Sequence, residues 1–454
     1  MGREPAGCRM DSEPAEPVPI VGAGTDPDGR KSPPSAPNRK DCRQAEPRVR
    51  GRSNLSKRQR GCRMDRSPPT FNRRVRATVT SPVSEVRAWV AEGNSDHGYS
   101  LLDVSQAVPG YPPPTGLAEH LFRMDPAEVS RYGPVLGDPG LRGALASDLS
   151  ATYRGMVRPD QVAITAGANQ AFCLAVAVLC EPGDRIILPV PYYFNHDMWL
   201  SISGVKPDYL ACSDGMLPSV EAAASMIDDR TRAIVLVTPN NPTGAVYPPE
   251  LISRFARLAT DRRLCLILDE TYRDFRTTTE PAHRLFEDPD WDRSVIHIQS
   301  FSKVYSIPGF RVGGMAASPE MLHQVDKAAD CLTICPNRIG QEAARYGLAH
   351  LEPWVESNRH TLNRRVESFV AAMKGGPYSV ASAGGYFAYV RHPFDGMGSK
   401  EVARRLFDRL GILSLAGEMF GPGQDRYLRL AFANLEDHQV SELARRLITG
   451  TENP

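Results

Sequence analysis

The sequence predicts an α/β protein: a large domain with a mostly parallel sheet sandwiched by helices, followed by a smaller α+β domain. Three observations predict it. Six runs (QVAITAG, RIILPVPYY, AIVLVTPN, LCLILDETY, VIHIQSFSK and RVGGMAAS) are rich in Val, Ile and Leu. Each is apolar at successive positions, so both faces of the strand are covered. Between them lie amphipathic segments such as SVEAAASMIDD and ELISRFARLATDRR. Strands alternating with helices give a parallel sheet with helices on both faces. After Gln341 the chain reads as helix for about forty residues and then as strand-like YSVAS, YFAYV and YLRLAFA, a second domain.

The bulk properties bound what such a chain can be. Its 454 residues suffice for two or three domains, and 41% hydrophobic with 24% charged residues is the balance of a globular enzyme. No apolar run reaches the ~18 residues of a membrane span. The nine cysteines are scattered, without a CxxC pair; Cys331 and Cys335 are the closest. That usage favours a reduced, cytoplasmic compartment over a disulfide framework, and shows no zinc pattern. The net charge of +1 conceals a division: residues 1–75 hold 17 Lys+Arg against 9 Asp+Glu, and the remainder 37 against 44.

Residues 1–75, with SPPSAPNRK and RVRGRSNLSKRQRGCRMDRSPP, show apolar residues at neither helical nor strand spacing, and are expected to form a disordered Arg/Pro-rich tail. The segment lacks the apolar core of a secretory signal, and Glu13, Glu16, Asp26 and Asp28 disfavour a transit peptide. It shows no trio of amphipathic helices for reading a DNA groove, so no nucleic-acid partner is expected. GCRMD occurs at residues 7–11 and 61–65, too little for a structural repeat. Met64 is a candidate start of the native protein.

Ligands of parallel sheets bind beyond the carboxyl ends of the strands, so the polar residues ending the six runs are the candidates. After QVAIT, the turn AGANQAF opens an apolar helix, either a plain structural turn or an anion site of free amides. After AIVLV, TPNNPTG packs Asn240, Asn241 and Gly244 into a turn. After LCLIL, Asp269 begins DETYRDF; an acid ending an apolar strand needs a cationic partner, and a protonated ring nitrogen would serve. Last comes SFSKVYSIPGFRVGG, where Lys303 sits between hydroxyl residues and Arg311 follows eight positions later. This is either an ordinary basic loop or a site that holds a phosphate and uses the amine as a nucleophile.

Taken in order, SQAVPGYPPP, YGPVLGDPGLR, TAGANQA, PVPYYFNH, TPNNPTG, DETY, SFSKVYSIPGFRVGG and YLRLAFA resemble the motifs of the pyridoxal-phosphate-dependent aminotransferases of the aspartate aminotransferase fold, class I/II (fold type I). The resemblance covers roughly residues 77–450. It implies a seven-stranded sheet and a division into a tail (1–75), an N-terminal segment packing with the small domain (76–111), a large cofactor-binding domain (112–340) and a small domain (341–454). It implies pyridoxal 5'-phosphate as cofactor, amino acid and 2-oxo acid substrates exchanged by a ping-pong cycle, and a homodimer with shared active sites.

Residue by residue, Lys303 matches the lysine that bonds the cofactor aldehyde and then serves as general base. Arg311, Ser300 and Ser302 match the phosphate ligands, with backbone amides from Gly167, Ala168 and Asn169. Tyr132 matches a tyrosine reaching the phosphate of the neighbouring subunit. Asp269 matches the aspartate facing the ring nitrogen, Asn241 and Tyr272 the pair at the ring hydroxyl, and Tyr193 the aromatic residue stacked on the ring, with Tyr192 in the core. Arg429 matches the arginine that takes the substrate α-carboxylate; the residues alone read as a solvated strand arginine. Two departures concern substrate: Ala107 stands where many relatives have a glycine, and Asn169 where some carry a cation for a distal carboxylate. A strict preference for aspartate or glutamate is therefore not expected. The same fold supports β-lyases, decarboxylases, racemases and oxidases, which form the alternative reading.

Overall fold

The computed structural model describes residues 70–93 and 98–450. The expectations for the repeated GCRMD, for Met64 and for most of the N-terminal tail lie outside these residues. The described residues include the last few positions assigned by composition to the tail. Arg73–Ala77 is a helical turn capped by Asn72, whose side chain accepts from the Arg74 amide. The Arg74 guanidinium also donates to the Ser203 carbonyl at 3.3 Å. A capping asparagine and one long-range contact order a segment whose composition reads as tail.

The strands, in chain order, are β1 (Leu102–Asp103), β2 (Val162–Thr165), β3 (Arg185–Val190), β4 (Lys206–Ala211), β5 (Thr231–Val237), β6 (Cys265–Asp269), β7 (Val295–Ser300), β8 (Gly313–Ala316), β9 (Ser379–Gly384), β10 (Phe387–Arg391), β11 (Ile412–Leu413), β12 (Leu415–Ala416) and β13 (Tyr427–Ala431). Seven of them form the large sheet in the order β2-β8-β7-β6-β5-β3-β4. The pairs among β4, β3, β5, β6 and β7 are parallel; β8 runs antiparallel to both β2 and β7. All six apolar runs are strands of this sheet. The seventh, β4, is an edge strand whose residues alternate in exposure, and its charged sequence KPDYLA hid it.

Side-chain alternation divides each central strand between two cores. Ile234, Leu236, Leu266 and Leu268 belong to one, with the helices Pro139–Tyr153, Pro249–Arg262 and Arg338–His350. Val235, Val237, Ile267 and Ile298 belong to the other, with Ala168–Leu179 and Pro319–Thr333. At roughly 25 cal/mol per Å² of buried apolar surface, these double-faced strands are the main source of stability.

A second sheet, antiparallel, has the order β12-β13-β10-β9. It packs with the helices Glu352–Met373, Ser399–Leu410 and Asp437–Thr449 around Phe369, Leu406 and Leu443. Near the start of the described residues, β1 pairs in parallel with β11 (Leu102↔Ile412), so early residues join the C-terminal region. Register sets the site: Val237 pairs with Asp269, Asp269 with Ile298, and Ser300 with Gly313. The polar strand ends therefore stand side by side at one edge of the sheet. No helix among the described residues is long and apolar enough to cross a membrane.

Candidate active site

Beyond those strand ends lies a cavity of about 450 Å³ lined by Ala107, Ala168, Asn169, Tyr193, Asn241, Asp269, Tyr272, Ser300, Ser302, Lys303, Arg311 and Arg429. Eleven motif residues distributed over six segments of sequence thus meet with Ala107 in one place. Gly167 adjoins it as N-cap of the helix Ala168–Leu179. Tyr132 stands apart: its ring is 78% exposed on the surface of this chain.

Lys303 occupies the short helix Phe301–Val304, which follows β7 directly and is capped by Ser300 Oγ accepting from the Ser302 amide at 3.2 Å. Its Nζ donates to the Ala107 carbonyl. Burial first, and then the positive charges of Arg311 and Arg429, push its pKa down to about 8. The amine is thereby a far better nucleophile and proton acceptor near neutral pH than an exposed lysine.

Arg311 holds a left-handed backbone, φ 51°, at the end of a 3₁₀ turn formed by Pro308–Phe310. That conformation is uncommon outside glycine and turns the side chain back toward the lysine. The guanidinium donates to Pro308 O at 2.9 Å, and reaches Ser302 Oγ and Ala166 O at 3.4 Å. Facing it, the helix Ala168–Leu179 starts without a side-chain cap, whereas Asp138, Ser318 and Asn337 cap the helices Pro139–Tyr153, Pro319–Thr333 and Arg338–His350. Uncapped amides, a guanidinium and two serine hydroxyls around one end of a cavity form the donor set of a phosphate site. Gly167, at φ 86°, is required there: a β-carbon would stand 2.4 Å from Arg311 Nη2.

The other end of the cavity suits an aromatic ring. The Asp269 carboxylate at the tip of β6 is buried, its Oδ1 accepting from the Thr271 amide (3.0 Å) and hydroxyl (2.7 Å). The chain itself places one polar partner beside it: His196 Nε2 lies 3.5 Å from Oδ2. The imidazole stacks on Phe172 with centroids 3.9 Å apart and is edge-on to Tyr193. The Tyr193 hydroxyl donates to Asn169 Oδ1 at 3.3 Å, and burial raises its pKa. Tyr192 packs on the core and stacks with Tyr209, as its alternative core role requires. Tyr272 is buried within reach of the Asn241 amide, and burial holds its phenol well above the usual range.

Arg429, which the residues alone suggested to be a solvated strand residue, is 2% exposed. It projects from β13 between the rings of Phe387 and Phe420, with its guanidinium carbon 5.4 and 5.2 Å from their centroids. Nη1 donates to Asn241 Oδ1 at 3.1 Å and Nη2 to the Ser105 carbonyl. Nε is buried and makes no hydrogen bond. A buried guanidinium with a spare donor and no carboxylate partner is ready for an incoming anion, because leaving it unpaired is costly. Burial pulls its pKa down to about 10.

Sequence reasoning missed His196, Thr271, and the wall formed by Ser81, Val83, Ser84, Gln106, Val108, Phe194 and Asn195. Nothing in PVPYYFNHD marks its histidine. The first wall residues precede or begin the helix Pro82–Ala91, whose Ser-Pro start and valines at 83, 86 and 90 were the available signal.

Comparison with known proteins identifies the family. The family model of aminotransferase class I and II matches residues 105–447. An aromatic aminotransferase of Arabidopsis thaliana is 29% identical over 394 residues, covering 84% of this chain and 96% of that protein. An aspartate aminotransferase of Sulfolobus acidocaldarius is 25% identical over 367 residues, 78% of this chain and 90% of its own length. Among solved structures, Thermus thermophilus aspartate aminotransferase with maleate superposes with a TM-score of 0.78 at 24% identity, covering 84% of this chain and all of that one. Phosphate donors, a depressed lysine and a buried acid thus occur together in a fold whose family model spans most of the sequence: the chain belongs to the class I and II aminotransferases, the fold type I transaminases that work with pyridoxal 5'-phosphate.

Proposed function

We propose that this transaminase exchanges an amino group between an L-amino acid and a 2-oxo acid in two successive half-reactions, with Lys303 as the residue that carries the proton. The observation behind the reading is one cavity in which a buried amine with lowered pKa faces a phosphate donor set, a buried acid and an unpaired guanidinium. Pyridoxal phosphate, when bound, supplies an aldehyde for the amino group and a ring that withdraws electrons from the substrate α-carbon. Arg311, Ser300, Ser302 and the amides after Gly167 would hold its phosphate, and Tyr193 would pack on its ring. Asp269, steadied by Thr271 and His196, keeps a proton on the ring nitrogen. Asn241 and Tyr272 hydrogen-bond the ring hydroxyl. Arg429 orients the substrate through its α-carboxylate, so that the α-hydrogen meets Lys303 Nζ. Nζ would then take that proton and hold it beside the cofactor.

The protein works as a homodimer in which Tyr132 serves the phosphate of the partner copy. Its exposure, beside exposed Phe122, Ile334 and Ile339, supports this. A cytoplasmic role in amino-acid metabolism is consistent with the described cysteines, all free thiols. The decisive variant is Lys303→Ala. It should stay folded by circular dichroism and lose transamination by several orders of magnitude, together with the absorbance of the bonded cofactor. Turnover near the wild-type rate would remove the lysine from the mechanism.

A further inference from the structure

In the function proposed above, on which this inference rests, Tyr193 packs on the cofactor ring. Its backbone does little to aim it there. Tyr193 is the N-cap residue of the helix Phe194–Ser203, with an extended backbone, and its side chain makes no capping bond. Neighbouring side chains hold it instead. His196 is edge-on to the ring, with centroids 5.1 Å apart and planes at 80°, and Phe194 packs against it at 5.1 Å. These contacts set the plane of the ring. Its direction is set at the far end, because the hydroxyl lies on the axis about which the ring turns. The phenol has one proton to give, and Asn169 Oδ1 accepts it at 3.3 Å. Asn195 Nδ2 donates to the phenol oxygen at 3.0 Å. That length is ordinary for an amide donor, whereas 3.3 Å is long for a hydroxyl donor. Asn195 is the firmer anchor.

We propose that Asn195 is a positioning residue for pyridoxal phosphate and acts through Tyr193: its amide pins the phenol oxygen, so that the ring is aligned before the cofactor enters. A tyrosine that became ordered only on binding would surrender its side-chain freedom at that moment, and affinity would fall accordingly. Phenylalanine at 193 would keep the stacking surface and lose the pinned oxygen. The contributions of the two residues are therefore one effect, seen from either end of a single hydrogen bond.

The test is a double-variant cycle on the full chain, stripped of cofactor and titrated with pyridoxal phosphate. Asn195→Ala and Tyr193→Phe should each weaken binding by roughly fivefold. In the Tyr193→Phe background, Asn195→Ala should add less than about twofold, because the oxygen it pins is already gone. The visible circular dichroism of the bound cofactor should shrink in both single variants, since it depends on how rigidly the neighbouring ring is oriented. Far-ultraviolet circular dichroism checks the fold. If the alanine variant is unfolded, Asn195→Ser, one atom shorter than asparagine, repeats the cycle. Losses that multiply in the double variant would overturn the proposal, because Asn195 would then act on the fold or on the cofactor independently of Tyr193. Wild-type affinity in Asn195→Ala would overturn it too, while leaving transamination intact. If the wild type takes up no pyridoxal phosphate, the function proposed above falls with it.

Discussion

Lys303 shows how much a single position gains from its surroundings. A lysine amine reacts with acylating reagents only when unprotonated, and an exposed one loses its proton near pH 10.4. Burial and two arginines disfavour the charged form, so the free amine predominates above about pH 8. In the cofactor-free enzyme, labelling of Lys303 should be half-maximal near pH 8, read by mass spectrometry of its peptide. In Arg311→Gln a positive neighbour is gone, and the midpoint should move upward. A wild-type midpoint near that of surface lysines would show that the side chain is solvated. Next in sequence to Asp269, Glu270 illustrates the opposite fate of a buried acid. Its Oε2 accepts from Tyr153, from His297 Nε2 at 2.9 Å and from His283 Nε2 at 3.2 Å. Glu270, His283 and His297 lie close enough to share an ion. However, His283 Nδ1 accepts the Leu285 amide at 3.2 Å, so the ring proton sits on Nε2, which then cannot be a ligand. The trio reads as a proton-bonded structural network behind the site.

Among the elements, the helix Ala168–Leu179 and its glycine matter most. Gly167 has φ 86°, and an added methyl would meet the end of the Arg311 side chain. A flexible guanidinium can move away, but it would leave the place that makes it useful. Gly167→Ala should therefore weaken pyridoxal phosphate binding about tenfold or more, equivalent to about 1.4 kcal/mol, in a titration of the cofactor-free enzyme. Backbone strain should add a stability loss of about 1 kcal/mol. Unchanged cofactor affinity would mean that the amides, not Arg311, dominate the phosphate site. The strands show where reading by pattern stops. Runs such as RIILPV and AIVLV are apolar throughout and announce buried strands, whereas β4 carries Lys206 and Asp208 and does not. Asp208 is buried only because Arg185 from β3 pairs with it, a partner that appears once the strands lie side by side. Equally, RVGGMAAS reads as a strand, but its antiparallel direction depends on how the chain returns after Arg311.

For the whole molecule, the proposed second copy turns on one exposed surface. Exposed apolar side chains on one chain, Phe122 at 90% and Tyr132 at 78%, are what a subunit interface covers. His120 on the helix Thr115–Phe122 bonds Glu342 on the helix Arg338–His350, and Gly133 donates to Cys335 Sγ at 3.4 Å. Phe122, Tyr132, Ile334 and Ile339 are thus brought to one region. Sedimentation should give twice the chain mass for the wild type. Phe122→Asp should shift the protein toward the monomer and lower activity, the outcome expected from the proposed role of Tyr132 at the partner copy's phosphate. A dimer unaffected by that charge would assign the interface to another face.

By itself the sequence determined the alternation of strands and helices, and with it the place to look: the polar residues Asn241, Asp269, Ser300 and Lys303 at strand ends. These were legible because local pattern and parallel-sheet geometry decide them, and ordered motifs extend them to Arg311 and Arg429. Only the tertiary structure decided that Arg429 is buried between two rings with a free donor, that His196 stands at Asp269, and that the helix Pro82–Ala91 walls the substrate cavity. Most of these contacts join residues dozens to hundreds of positions apart. Burial and pairing over such separations are properties of the packed chain, and no local spacing encodes them.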